Sequence, residues 1–90
     1  MPVHVITGPR DSGKTRRLRA LQTELQTQGA DIAIITGNAC TTTYLLARIR
    51  QQAEAGAGHF LADDCTRDQI KAVQKIDLPE QFTLYLARQA

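Results

Sequence analysis

Residues 8–15, with the sequence GPRDSGKT, have the residue types and spacing of a loop that binds phosphate. Gly8 and Gly13 permit backbone angles that other residues disfavour, so the chain can approach an anion closely. Successive backbone N–H groups then point inward, and a helix that follows directs its unpaired N–H groups at the same phosphate. In this pattern Lys14 pairs with the β- and γ-phosphates of a nucleotide, and the Thr15 hydroxyl is the expected Mg²⁺ ligand.

The neighbouring sequence supplies the strand and the helix that such a loop requires. Residues 3–7 are a short β-branched run that ends at the loop. After Lys14, the residues Leu18, Leu21 and Leu25 recur at helical spacing. A coincidental glycine-rich turn would not need this context, and we therefore expect a phosphate loop here.

The rest of the chain alternates predicted helices with apolar runs that are predicted strands, at residues 32–36, 59–63 and 82–87. A threonine within residues 41–43 can cap the second helix, and Thr66-x-x-Gln69 is a capping-box pattern that starts the third. This alternation predicts a single α/β domain over residues 1–90, with a parallel sheet and helices on both faces. Binding sites in such sheets lie beyond the carboxyl ends of the strands.

The third predicted strand ends on two carboxylates, Asp63 and Asp64, at the edge of the sheet where the loop is also expected. Two solvated acids at a strand–helix junction would explain the pair without any function. A complete phosphate loop in the same chain makes that explanation less favourable.

Residues 8–15 resemble the Walker A motif of the P-loop NTPase superfamily. The sequences of residues 6–9 (ITGP) and 12–15 (SGKT) are similar to the corresponding loop of thymidine-kinase-type and helicase-type members. The zinc element and nucleoside lid of thymidine kinases have no counterpart in this sequence, so the resemblance extends to the superfamily alone. Residues 60–64 (FLADD) resemble the Walker B motif, which implies that Asp63 holds Mg²⁺ and that Asp64 orients the attacking water.

The spacing of the two motifs resembles the additional-strand division of the superfamily, because one strand–helix pair separates them. That resemblance implies a three-layer αβα sandwich with a parallel four-stranded sheet in the order 1-4-3-2 and the P-loop after strand 1. Strand 4 would then end beside the γ-phosphate. Gln89 or Arg88 would there occupy the position of a polar sensor residue.

Motif and resemblance together define a predicted site. The residues expected to bind the nucleotide are Gly8, Pro9, Arg10, Asp11, Ser12, Gly13, Lys14, Thr15 and Arg16. Those expected to take part in the reaction are Lys14, Asp64 and Gln89, and the expected metal ligands are Thr15 and Asp63.

Composition narrows the possible partners and the compartment. The chain has 90 residues, of which 42% are hydrophobic and 22% charged, as in an ordinary globular domain. The net charge of +2 is too small to imply a nucleic-acid partner. A basic cluster could still contact a nucleic-acid backbone, although a solvated helix face that favours nucleotide explains it equally: Arg10, Lys14, Arg16, Arg17 and Arg19.

The number of cysteines and the length of the apolar runs predict the cellular compartment of this protein. Two cysteines form neither a disulfide framework nor a zinc site, so we expect a reducing, cytoplasmic compartment. No apolar run is long enough to span a membrane, and none is expected to bind one. The short length suggests a small stand-alone protein of a compact genome, such as that of a phage.

Strand 1 is expected to be an exposed edge of the sheet. Members of the superfamily usually carry a fifth strand beyond the first, and this sequence contains no candidate for it. Residues 3–7 would then offer unpaired backbone groups, which is a liability unless they are covered. We therefore expect a homo-oligomer or a protein partner at this edge.

These predictions favour Mg²⁺-dependent binding of a nucleoside triphosphate with slow hydrolysis. ATP is favoured over GTP because the sequence lacks the Asn/Thr-Lys-x-Asp signature for guanine. A non-catalytic nucleotide-binding adaptor stays open as the alternative, because Asp64 stands where many members have the longer glutamate. A small-molecule kinase is favoured less, since 90 residues leave little room for a lid.

Overall fold

The computed structural model describes residues 2–89, and it alternates strands with helices along the chain. The elements in order are β1 (Val3–Ile6), α1 (Lys14–Thr27), β2 (Ile34–Thr36), α2 (Thr42–Glu54), β3 (His59–Cys65), α3 (Arg67–Val73) and β4 (Thr83–Arg88). A short 3₁₀ turn, Gly37–Ala39, follows β2. The α/β class predicted from the sequence is therefore confirmed.

The strands form one parallel sheet in the order β1-β4-β3-β2. This is the predicted order, with β4 inserted between β1 and β3. The carboxyl ends of β1, β3 and β2 consequently open onto the same edge of the sheet, which is where the predicted phosphate loop leaves β1.

Helices cover both faces of the sheet, which confirms the predicted three layers. Because strand side chains alternate between faces, β4 contributes Leu84 and Leu86 to one core and Ala87 to the other. Helix α1 packs on the second of these faces, where its Leu18 and Leu25 meet Ile6 of β1 and Leu61 of β3 in one core. Helices α2 and α3 pack on the first face against Phe60 of β3. The helices contribute Leu45, Ile49, Ile70 and Val73 to this core.

Local sequence signals set most helix ends. The Thr41 hydroxyl accepts the Tyr44 N–H at the start of α2. Thr66 and Gln69 form the predicted capping box at the start of α3. A side-chain N-cap of this kind contributes about 1 kcal/mol to the stability of the folded chain. Within residues 2–89 none of the helices combines the length and the apolar character that crossing a bilayer demands.

Some boundaries differ from those predicted, and tertiary contacts explain the differences. β2 begins at Ile34 rather than at Ile32, because the Ile32 carbonyl accepts a hydrogen bond from the Gln22 side chain at 2.9 Å. β3 runs past Asp63 to Cys65 through an irregularity in its pairing with β4. β4 spans Thr83–Arg88 instead of residues 82–87, a shift of one residue.

Candidate functional site

An open cavity of about 920 Å³ lies at the carboxyl edge of the sheet. One wall comes from the loop after β1 and the first turns of α1, through residues Arg10, Asp11, Ser12, Gly13, Lys14, Thr15, Arg16 and Arg19. The other walls come from the ends of β2, β3 and β4, through residues Thr36, Asn38, Asp63, Asp64, Arg88 and Gln89.

The loop after β1 has the backbone of a tight anion-binding turn. Gly8 has φ 151° and Gly13 has φ 86°, and a Cβ at Gly8 would lie 2.6 Å from the Ser12 Oγ. Asp11 also adopts a left-handed conformation, with φ 69°. Gly13 precedes α1 without a side-chain cap, so the N–H groups of the first helical turn stay available to a ligand in the cavity.

Lys14 is fixed at the base of this loop. Its Nζ donates a hydrogen bond to the Gly8 carbonyl oxygen at 2.6 Å. An ammonium group has three N–H donors, so two remain for phosphate oxygens. The lysine is therefore held in place by its own loop while its charge faces the cavity.

Thr15 and Asp63 meet across the cavity, although 48 residues separate them in the chain. The Thr15 hydroxyl donates to Asp63 Oδ2 at 2.7 Å, and Asp63 Oδ1 accepts the Asp64 N–H at 2.8 Å. Both carboxylate oxygens are thereby oriented. A hydroxyl and a carboxylate are hard oxygen ligands that suit Mg²⁺, which takes its remaining ligands from phosphates and water. The donor set therefore fits the predicted metal.

A β-bulge lets both acids of β3 face the same cavity. Ala62 pairs with Leu86 and Cys65 pairs with Arg88, so β3 has one more residue than β4 over this interval. Asp64 takes up the extra length in a left-handed conformation with φ 52°. Aspartate tolerates this conformation better than most residues. In a regular strand Asp63 and Asp64 would point to opposite faces.

Cys65 lies directly behind the two acids and is fully buried. Burial, with a smaller contribution from the neighbouring Asp63 carboxylate, raises the pKa of Cys65 from 9.0 to about 12. The thiol therefore stays protonated at neutral pH. It acts as a packing group, since the thiolate is the reactive form of cysteine.

The turn after β2 is braced by a buried side chain from α3. Gln69 is 2% exposed, and its Nε2 donates to the carbonyl oxygens of Gly37 at 2.7 Å and Cys40 at 3.1 Å. Its Oε1 accepts the Thr66 N–H at 2.9 Å. From the sequence Gln69 was predicted only as part of the capping box, so its hydrogen bonds to Gly37 and Cys40 are a structural feature that the pattern did not reveal.

The structure brings most of the predicted site residues together. Asp64, Arg88 and Gln89 line the cavity with the loop, and the Gln89 N–H donates to the Cys65 carbonyl at 2.7 Å. Gly8 and Pro9 form the base of the loop instead of the cavity wall, where the Pro9 carbonyl accepts the Ser12 N–H. Thr36, the last residue of the predicted second strand, and Asn38, just beyond that strand, are additional lining residues.

The basic cluster divides between two sides of α1. Arg10, Lys14, Arg16 and Arg19 line the cavity, whereas Arg17 lines a groove at β1 together with His4 and Tyr85. Arg17 is therefore absent from the lining of the cavity at the carboxyl edge of the sheet. Within residues 2–89, β1 pairs only with β4, so its outer edge is open as expected.

Comparison of this chain with protein-family models, with curated proteins and with solved structures finds no significant match. The site is therefore interpreted from its own geometry.

Proposed function

We propose that this chain is a P-loop nucleoside-triphosphate-binding protein of the additional-strand type, which binds ATP with Mg²⁺ and hydrolyses it slowly. The observation that carries the proposal is the 2.7 Å contact between Thr15 and Asp63. It joins the end of the phosphate loop to the acid at the end of β3, and a metal ion shared with phosphates needs both groups at one place.

The loop and Lys14 would hold the phosphates. Backbone N–H groups of the loop and of the first turn of α1 would donate hydrogen bonds to the anion, with the positive end of the helix dipole directed at it. Lys14 would contribute its two free N–H donors and its charge. Arg10 and Arg16 stand at the mouth of the cavity, where they would raise the local concentration of anionic ligands.

Hydrolysis would depend mainly on positioning and on charge stabilisation. Bound Mg²⁺, held by Thr15 and Asp63, would neutralise charge on the phosphates. Asp64 would accept a proton from water as the water oxygen bonds to the terminal phosphorus and the bond to the diphosphate breaks. Lys14 would stabilise the charge that develops on the transferring group, and Gln89 would approach it from the end of β4.

The alternative is a nucleotide-binding adaptor that does not turn over. The short side chain of Asp64 favours it, because a base must come within hydrogen-bond reach of the attacking water. The open edge of β1 favours it as well, since a protein partner or a second copy could pair there. Light scattering on the purified chain over a concentration series tests for self-association at this edge.

Calorimetric titration of ATP and GTP with Mg²⁺, with phosphate release followed on the same sample, tests the proposal. We expect binding, tighter for ATP than for GTP, and slow release of phosphate. Asp64→Asn should bind ATP as the wild type does and lose turnover by about 10²-fold or more. Asp68→Asn, a change of the same type at an exposed position of α3, is the control and should keep both.

Each outcome separates the two candidates. Binding without turnover in the wild type would replace the hydrolase with the adaptor. Equal turnover in the wild type and in Asp64→Asn would remove Asp64 from the reaction. Failure of the wild type to bind either nucleotide would contradict the whole proposal.

A further inference from the structure

The turn Gly37–Ala39 is more tightly built than a surface connection needs to be. It carries Asn38 into the cavity. The carbonyl oxygens of Gly37, in the turn, and of Cys40, directly after it, accept hydrogen bonds from the Gln69 side chain, which is only 2% exposed. A buried amide is stable in a core only when its hydrogen bonds are satisfied. The side-chain amide of Gln69 can make four hydrogen bonds and makes three of them here. The two that its Nε2 donates, to Gly37 and Cys40, hold the turn.

Close packing fixes the turn against β3. A Cβ at Gly37 would lie 2.7 Å from Gln69 Oε1, 3.0 Å from the Cα of Cys65 and 3.1 Å from its Sγ. The backbone at Cys65 cannot move aside without disturbing the bulge that orients Asp63 and Asp64. The turn after β2 and the acidic end of β3 are therefore one packed unit.

The strand register places the turn beside the acids. Thr36 is paired directly with Asp63, and Asn38 follows it by two residues at the wall of the cavity. The loop residues Arg10 and Asp11 line the same cavity. Lys14, Thr15 and Asp63 line this cavity as well, so a triphosphate held by them would have its terminal phosphate in the same cavity as Asn38.

We propose that Asn38 donates a hydrogen bond to the terminal phosphate and that Gln69 is the residue that positions it. The site thereby distinguishes a nucleoside triphosphate from a diphosphate. This inference rests on the proposed function. An amide suits the position because its N–H₂ group donates to a phosphate oxygen without adding charge beside Asp63 and Asp64.

The test compares the dissociation constants of ADP and ATP, each with Mg²⁺, for the full chain. We expect wild type to bind ATP more tightly than ADP. In Asn38→Ala the ratio of the two constants should fall by roughly tenfold to a hundredfold, since one hydrogen bond to a charged group is lost. ADP affinity should not change. Thr43→Ala, at an exposed position of α2, is the control.

Gln69→Glu tests the positioning role. Glutamate keeps the acceptor for the Thr66 N–H, so the capping box survives. It replaces the amide donor with an oxygen that repels the carbonyls of Gly37 and Cys40. We expect the same loss of discrimination as in Asn38→Ala, and no further loss in the double variant, because the two residues act on one contact. Gln74→Glu, at an exposed position where α3 ends, is the matched control.

The outcomes distinguish this inference from the proposed function. If the wild type binds neither nucleotide, the proposed function fails and the inference fails with it. If the wild type discriminates and Asn38→Ala discriminates equally, or loses ADP and ATP affinity equally, the inference is wrong while the proposed function stands. If only Gln69→Glu keeps full discrimination, the positioning role is wrong. Thermal unfolding of each variant identifies one that does not fold, and the exposed Asn38→Ala then decides alone.

Discussion

Two connections meet at the carboxyl edge of the sheet, and they are held in place in different ways. The phosphate loop after β1 is held by its own residues: Gly8 and Gly13 turn the backbone, and Lys14 bonds to the Gly8 carbonyl. The turn Gly37–Ala39 after β2 is held from outside, by Gln69 of α3 and by the backbone at Cys65. A self-contained loop can be recognised from local sequence, whereas a braced turn depends on the rest of the fold.

The largest effect that we expect is on ATP binding, when the positive charge of Lys14 is removed from the phosphate loop. Lys14→Ala should weaken ATP binding about a thousandfold, roughly 4 kcal/mol, because the phosphates lose a cation and its N–H donors. Stability should change little, since the lysine contacts only its own loop carbonyl. Calorimetric titration measures the affinity, and Lys71→Ala on the exposed side of α3 is the control. Wild-type affinity in Lys14→Ala would contradict the site itself.

At the turn Gly37–Ala39, which packs against Cys65, alkaline pH should lower the free energy of unfolding because the Cys65 thiol ionises more readily in the unfolded chain. The pKa of this thiol is raised from 9.0 to about 12 in the folded chain. Its contribution to stability is therefore complete below pH 9, and it is lost as the pH rises toward 12, because the unfolded chain ionises first. The loss should approach about 4 kcal/mol at the upper end of that window.

Urea unfolding at several pH values between 8 and 11 measures this loss. Cys65→Ala should flatten the dependence of unfolding free energy on pH, whereas Cys40→Ala should reduce that dependence only slightly, because burial contributes more to the raised pKa of Cys65 than Cys40 does. An unchanged slope in Cys65→Ala would mean that water reaches the thiol and that this side of the site is less tightly packed.

Gly37→Ala should destabilise the chain by about 1–3 kcal/mol, because the new methyl group meets Gln69 and the backbone of Cys65. Gly58→Ala is the matched control, since a Cβ there has no atom within 4 Å. Chemical denaturation of both variants gives the difference. Equal stabilities would show that the turn can move away from β3, and would remove the contrast with the phosphate loop.

The smallest effect concerns the cap that supports Gln69. Thr66→Ala should lower stability by about 1 kcal/mol, because the Gln69 N–H loses its acceptor. Thr41→Ala removes the corresponding cap of α2 and should cost about the same. Only Thr66→Ala should also reduce discrimination between ATP and ADP. If the two variants behave alike in nucleotide binding, α3 does not support the turn.

Local sequence determined much of this protein. The tight glycine turn after β1, its strand and helix, and the capping box at Thr66 were all predictable, because each depends on residues a few positions apart. The resemblance to a known superfamily also gave the correct strand order, although alternation of strands and helices alone predicts only a parallel sheet. The placement of Asp63 at the site followed from that order.

Only the tertiary structure decided how the remaining groups meet. The bulge that turns Asp64 toward the cavity depends on the register between β3 and β4. The brace from Gln69 spans 32 residues to Gly37, and packing of α1 directs Arg17 away from the cavity. Such contacts depend on how whole elements pack, and a one-residue change in register would reverse the direction of a side chain without altering any local pattern.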